Sequence, residues 1–336
     1  MKEVIFLHFW ALVFLTGIAS CSTGQAPADL ASVTVENSPE IFDQSIDQMA
    51  KDEKYGKGAL LLSRFDSFPE FKKVVHIEYC REFNLFSYPA FSIPVVRIKH
   101  KSGGKIVTGI LKPGVTEGDF AKARDGKFRD RLSLLLRSPY AILKRKELQR
   151  VYALSRWRDQ FYGEGDIAFY DLARTMMDHI TDYDKQNSPS REFGEKGYIN
   201  TFNHVIAQAF MTSLFSERLA DFVADSHERY NLPQLISGNF TEEMVYDIET
   251  GPTDNYLDII NNEWGQEIGK ELKRRYNIRK STIWTTELLE NYLNDIQHYF
   301  TISFQIGFDP FFASDEILIR LSKKIEQVKK GAPLMK

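Results

Sequence analysis

The chain has 336 residues, 43% of them hydrophobic and 13% aromatic, which excludes a disordered or fibrous protein and suffices for a packed core. Its net charge of −3 carries no partner signal, and no nucleic acid is expected as a partner. Only Cys21 and Cys80 are present, so a disulfide framework is excluded and an exported form must hold itself together by its core.

Residues 1–20 read as a secretion signal. Lys2 gives the charged start, partly offset by Glu3, and Val4 to Thr16 is an apolar run too short for a permanent membrane span. The run ends in Ile18-Ala19-Ser20-Cys21, which resembles the bacterial lipobox. That resemblance implies acylation of Cys21, which becomes the first residue after processing. It also implies a lipoprotein of the bacterial cell envelope, anchored to a membrane leaflet that the sequence does not name. Residues 21–54 follow as a tether, flexible from Ser22 to Pro39, with a short helix expected over Glu40 to Lys54 that places Ile41, Ile46 and Met49 on one side.

Residues 55–115 are β-rich. Ala59-Leu60-Leu61-Leu62, Lys73 to Tyr79 and Pro94 to Ile98 predict strands, and Lys101-Ser102-Gly103-Gly104-Lys105 predicts a hairpin turn into a further strand, Ile106 to Leu111. His76, Glu78 and His100 have no motif spacing and are expected on the strand surface. From residue 116 to 336 helical periodicity dominates, in Leu132–Leu136, Ala141–Ala153, Ile167–Tyr183, Ile199–Tyr230, Asn255–Arg275, Thr286–Phe300 and Ser314–Lys329. The expected architecture is α+β, mainly α: a small antiparallel sheet followed by a helical domain. Between Ala121 and Gln160 twelve Lys/Arg face four Asp/Glu, a local charge of +8. Such a stretch either meets an anionic surface or pairs with the acidic C-terminal half, and pairing is the favoured expectation.

The densest polar signal lies in residues 200–269. Asn200 and His204 are four apart and share a helix face. A break at Phe215-Ser216 starts a second helix with Ser216 as its N-cap. His204 lies twelve residues before Ser216 and His227 eleven after it, so an antiparallel hairpin sets both at the same level. A third helix carries Asp258 and, at three, four, seven and eleven residues beyond, Asn261, Asn262, Gly265 and Gly269. Two glycines at that spacing point to the close approach of another helix. His204, His227 and Asp258 are therefore expected to meet.

The order Asn-x-x-x-His, then His-Glu, then Asp-x-x-Asn-Asn-x-x-Gly-x-x-x-Gly resembles a bacterial helical domain of unknown function. It maps onto Asn200, His204, His227, Glu228, Asp258, Asn261, Asn262, Gly265 and Gly269, and so covers residues 200–269 of the chain. The sequence departs from that domain at Ser216, where members often have Gly, and at Asn203, where they often have Arg or Gln. The resemblance implies no known reaction.

Two functions compete. One is an envelope hydrolase with His204 or His227 as base, Asp258 orienting it, and Asn262 or Asn261 holding an oxyanion or substrate, with Asn200 and Glu228 as further polar members. The other is a non-catalytic binding or assembly lipoprotein whose polar cluster only fixes the fold. A divalent metal is the less favoured cofactor, because the spacing is not His-Glu-x-x-His and the adjacent His227 and Glu228 point about 100° apart on one helix. Asp247, Glu249, Asp254 and Asp258 crowd a Gly251-Pro252 loop and offer ligands for calcium, but without calcium-loop spacing, and no nucleophile-elbow, dinucleotide or phosphate-loop motif is present.

Overall fold

The computed structural model describes residues 58–83 and 92–331. The signal segment, Cys21, the tether and the helix expected over Glu40 to Lys54 lie outside the described residues. The fold is α+β and mainly α.

Ser67 accepts from the Glu70 backbone N–H and caps α1, Phe68–Val74, which turns Phe68 and Phe71 into the core. The sheet follows, with β1 His76–Phe83, β2 Ser92–Ser102 and β3 Lys105–Leu111 antiparallel in the order β1-β2-β3. The β2–β3 turn closes on the pair Ser102 and Lys105. Gly103 and Gly104 occupy its centre at φ 54° and 83°, the two left-handed positions that match the twist of a two-residue hairpin. Val96, Ile98 and His100 alternate onto the inner face of β2, opposite Leu111, Gly109 and Val107 of β3.

That alternation corrects one expectation. His100 is not on the surface: it is 1% exposed, and its Nδ1 accepts from Trp264 Nε1 at 3.0 Å. A second correction concerns Ala59 to Leu62, which form no strand but a buried extended segment leading into a short 3-10 turn, Leu62–Arg64. An apolar run without alternation signals burial on every side rather than sheet pairing. Side chains satisfy its backbone instead. Leu60 N–H donates to Asn261 Oδ1 at 2.8 Å, Leu60 O accepts from Asn261 Nδ2 at 3.0 Å and from Thr201 Oγ1 at 2.9 Å, and Ala59 N–H donates to the Tyr299 hydroxyl at 2.7 Å.

The helices continue as α2 Glu117–Asp125, α3 Phe128–Arg137, α4 Pro139–Leu143, α5 Arg145–Ser155, α6 Asp159–Tyr162, α7 Phe169–Asp178 and α8 Asp182–Asn187. They are followed by α9 Tyr198–Leu214, α10 Glu217–Asn231, α11 Glu242–Tyr246, α12 Pro252–Arg275, α13 Thr286–Phe304 and α14 Glu316–Gly331. The helix expected over Ile167–Tyr183 stops at Asp178, where Ile180 instead pairs with Phe308. Among the described residues no helix is long and apolar enough to cross a membrane.

α12 is the axis of the molecule. Seventeen of its 24 residues are buried, polar and apolar alike, because the sheet, α9 and α10 cover it from different sides. Gly265 and Gly269 lie against the backbone of α9: a Cβ on Gly265 would stand 2.6 Å from Val205 O, and one on Gly269 2.6 Å from Ala209 O. On the sheet side a Cβ on Gly109 would meet Ile259 Cγ2 at 2.5 Å. Three missing side chains thus let α12 seat closely on two neighbours.

Candidate functional site

Three helices bring the polar residues together. Ser216 accepts from the Leu219 N–H and starts α10 after the chain reverses, so α9 and α10 form the hairpin that the break predicts. α9 contributes Asn200 and His204. α12 contributes Asp254, Asp258 and Asn262, one turn apart on a single stripe.

His204 sits between two partners on α12. Its Nδ1 lies 2.9 Å from Asn262 Oδ1 and its Nε2 3.3 Å from Asp258 Oδ1. With the amide oxygen facing the ring, Nδ1 carries the proton and donates to it, which aims Nε2 at the carboxylates. Asn200 Nδ2 donates to Asp258 Oδ1 at 3.0 Å and steadies that carboxylate. Glu228 enters from α10. It is fully buried, and among the described residues neither of its oxygens has a hydrogen-bond partner. One ligand atom each from His204, Glu228 and Asp258 lie within 4.8 Å of one another.

Asp254 and Lys196 extend the cluster. Lys196 Nζ donates to Asp254 Oδ2 at 2.5 Å, while Asp254 Oδ1 has no partner among the described residues. Lys196 is the more exposed of the two, so the group runs from a sealed end at Glu228 towards a charged end at Lys196.

The electrostatics follow from burial. Burial pushes the Glu228 carboxyl well above its ordinary value, and the neighbouring Asp258 charge pushes it further against the pull of His204. Burial likewise raises Asp254, with Asp258, to about 6 against the opposing charges of Lys196 and His204. For His204, burial acts to lower the imidazole, but the charge and hydrogen bond of Asp258, helped by Glu228 and Asn262, hold it up at about 9. Burial thus favours the proton-bearing form of Glu228, while the neighbouring Asp258 favours the charged form of the His204 imidazole.

The two histidines do not meet. His227 Nδ1 pairs with Glu117 Oε2 of α2 at 3.2 Å, and its Nε2 lies 3.0 Å from Asn231 Nδ2. The hairpin argument sets the level of residues 227 and 228 but not which of them turns inward. With about 100° between successive side chains, packing on α12 selects Glu228. Asn261 is also elsewhere, clasping the Leu60 backbone. It is offset by about 60° from Asp258 around the helix, whereas Asn262 is offset by about 40° the other way, towards His204. Asp247 accepts from the Glu249 and Thr250 N–H groups and closes its own turn, away from the centre.

Two members escaped the sequence reading as parts of this site. Asp254 had a signal, lying four residues before Asp258 on the same stripe as Asn262. Lys196 had none, because it precedes α9 in an irregular stretch. A histidine and two carboxylates suit divalent cations of intermediate hardness, and an amide that accepts from the far ring nitrogen, as Asn262 does, is the usual companion of such a ligand. Comparison with protein-family models, with curated proteins and with solved structures finds no match for this chain.

Proposed function

We propose that this protein is an envelope-anchored hydrolase in which His204 Nε2, Glu228 and Asp258 hold a divalent cation. The observation that carries the reading is Glu228: a fully buried carboxyl with no hydrogen-bond partner among the described residues, within 4.8 Å of an imidazole nitrogen and a second carboxylate oxygen. A buried unpaired carboxyl is costly, and a cation would supply what it lacks.

The roles follow from position. Asn262 presents Nε2 to the cation, and Asn200 orients Asp258. Such a cation would supply Lewis acidity to a bound water. Asp254 Oδ1, which has no hydrogen-bond partner among the described residues and is raised to about 6, is placed to accept a proton near neutral pH. Lys196, beside it, would steady negative charge developing on the substrate. Cys21, through the lipobox, accounts for the envelope location.

A second reading rests on the low exposure of the centre, where the His204 and Asp258 side chains are 14% and 10% exposed. In that reading the cluster is a sealed network that only fixes the fold. Elemental analysis of the purified protein, with thermal melts in added Mn2+ or Zn2+, separates the two. A bound metal, and a cation-induced rise in Tm that Glu228→Gln abolishes, are the expected results. No metal and no shift with any cation would leave the network reading. For the anchor, Cys21→Ser should release the protein from membranes or leave it unprocessed, checked by fractionation and mass spectrometry.

A further inference from the structure

Among the described residues of the basic stretch 121–160, Arg124 pairs with Asp125, Arg137 with Asp119 and Lys144 with Glu147, so these cations are met locally and not by the acidic C-terminal half. Lys122, Lys127, Arg129, Arg145 and Lys146 are in no ion pair among the described residues, and all five are exposed. Five of the twelve cations of the stretch therefore stand exposed without an ion-pair partner among the described residues.

The same region exposes apolar side chains. On α3, Phe128 and Leu136 are 76% exposed, and Leu132 and Leu135 lie between them, at 42% and 41%. At about 100° per residue these four fall within an arc of roughly 100°. Leu134, on the opposite side, is the one leucine of α3 that reaches the core, where it packs with Val115, Ala123 and Ala141. Arg129 and Arg131 lie on either side of the apolar arc by the same geometry. Leu143 at the end of α4, 75% exposed, adds to the outward apolar surface.

An outward apolar stripe edged by unpaired cations on a helix too short to span is the pattern of a helix lying in a membrane interface. We propose that the outer face of α3 rests on an anionic phospholipid surface. Phe128, Leu132, Leu135 and Leu136 enter the boundary of the acyl chains, and the flanking arginines and lysines reach the headgroups. An anionic polymer in water would match the charge but not the leucines, and a neutral apolar partner would match the leucines but not the charge. An anionic bilayer matches both. Beside a lipid anchor at Cys21, a contact of this kind fixes which side of the protein faces the membrane.

The test uses the full chain carrying Cys21→Ser, so that no acyl chain contributes, in flotation with phosphatidylcholine vesicles or with vesicles that also contain phosphatidylglycerol. All variants share the same N-terminal residues, whose own contribution cancels in the comparison. The expected result is binding at least about tenfold stronger to the phosphatidylglycerol vesicles, falling as salt rises. Leu132→Ser with Leu136→Ser, and separately Lys127→Gln with Arg129→Gln, should each lower that binding by about fivefold or more without lowering Tm. Equal binding by parent and variants would overturn the proposal, as would equal binding to both vesicles. So would failure to float together with concentration-dependent self-association that the leucine variants abolish, which would assign the face to a second copy of the chain.

Discussion

The α9–α10–α12 centre and the α2–α5 surface invert the usual distribution of side chains in opposite ways. The centre encloses three carboxyls and an imidazole, with Glu228 left without a hydrogen-bond partner among the described residues. The surface exposes leucines and a phenylalanine beside Lys122, Lys127 and Lys146, which meet no carboxylate among the described residues. Ordinary folding would put the leucines in the centre and the carboxyls outside. Each region departs from that in the direction of one class of ligand: a buried unpaired carboxyl towards a cation, an exposed apolar stripe with cations towards an anionic interface. The difference also says where stability is at stake, because a change in the centre acts on the core whereas a change on α3 acts on water.

That contrast is open to measurement. The largest effect is expected from His204→Ala, which leaves the Asp258 charge buried and unpaired and should cost about 3 kcal/mol by denaturant unfolding in the absence of added metal. A cost below about 0.5 kcal/mol would mean that the centre is wetter than its burial implies. Next, Gly269→Ala breaks the centre without touching its charges. The added Cβ meets the Ala209 backbone, Cα as well as O, and should cost about 2 kcal/mol and weaken any cation-induced rise in Tm.

A third measurement is pH. Burial, then the charges of Asp221, Asp225, Glu217 and Glu267, push Glu263 up to about 9, and burial with Asp221 pushes Asp225 to about 7. A carboxyl raised in the folded state binds protons that the unfolded chain has lost, so its contribution is complete at low pH and is lost as pH rises through the folded value. His204, held up at about 9, has the same sign. Tm should therefore fall between about pH 5 and about pH 9, and Glu263→Gln should flatten the fall. A Tm that rises over this range would contradict the raised values of Glu263, Asp225 and His204. The smallest effect is expected from Leu136→Ser on α3, within about 0.5 kcal/mol of the parent, since that side chain is 76% exposed.

The same contrast explains what was legible in the sequence. The helical hairpin, the cap at Ser216, the glycine stripe and the β2–β3 turn rest on local rules, and they could be read from spacing alone. Height along a helix was also legible, which is why residues 227–228 fall at the level of His204. The face was not. Choosing Glu228 over His227, or Asn262 over Asn261, requires knowing where α12 lies, and that is set by packing remote in sequence. His100 and Ala59 to Leu62 were misjudged for a related reason: their burial is decided by α12 and α13, more than 150 residues away. The apolar content of α3 was visible, but its leucines look like any core stripe until the structure shows them uncovered among the described residues.

The clasp on Leu60 has a mechanical consequence. Asn261 grips both the N–H and the C=O of Leu60, Thr201 shares the carbonyl, and Tyr299 holds Ala59. The described fold thus begins not at a frayed edge but at a peptide pinned between α9, α12 and α13. Tension transmitted along the backbone from residues before 58 would be delivered in shear to Asn261, one residue from Asn262 and three from Asp258. A chain tugged at that end would strain its polar centre before it peeled any outer helix.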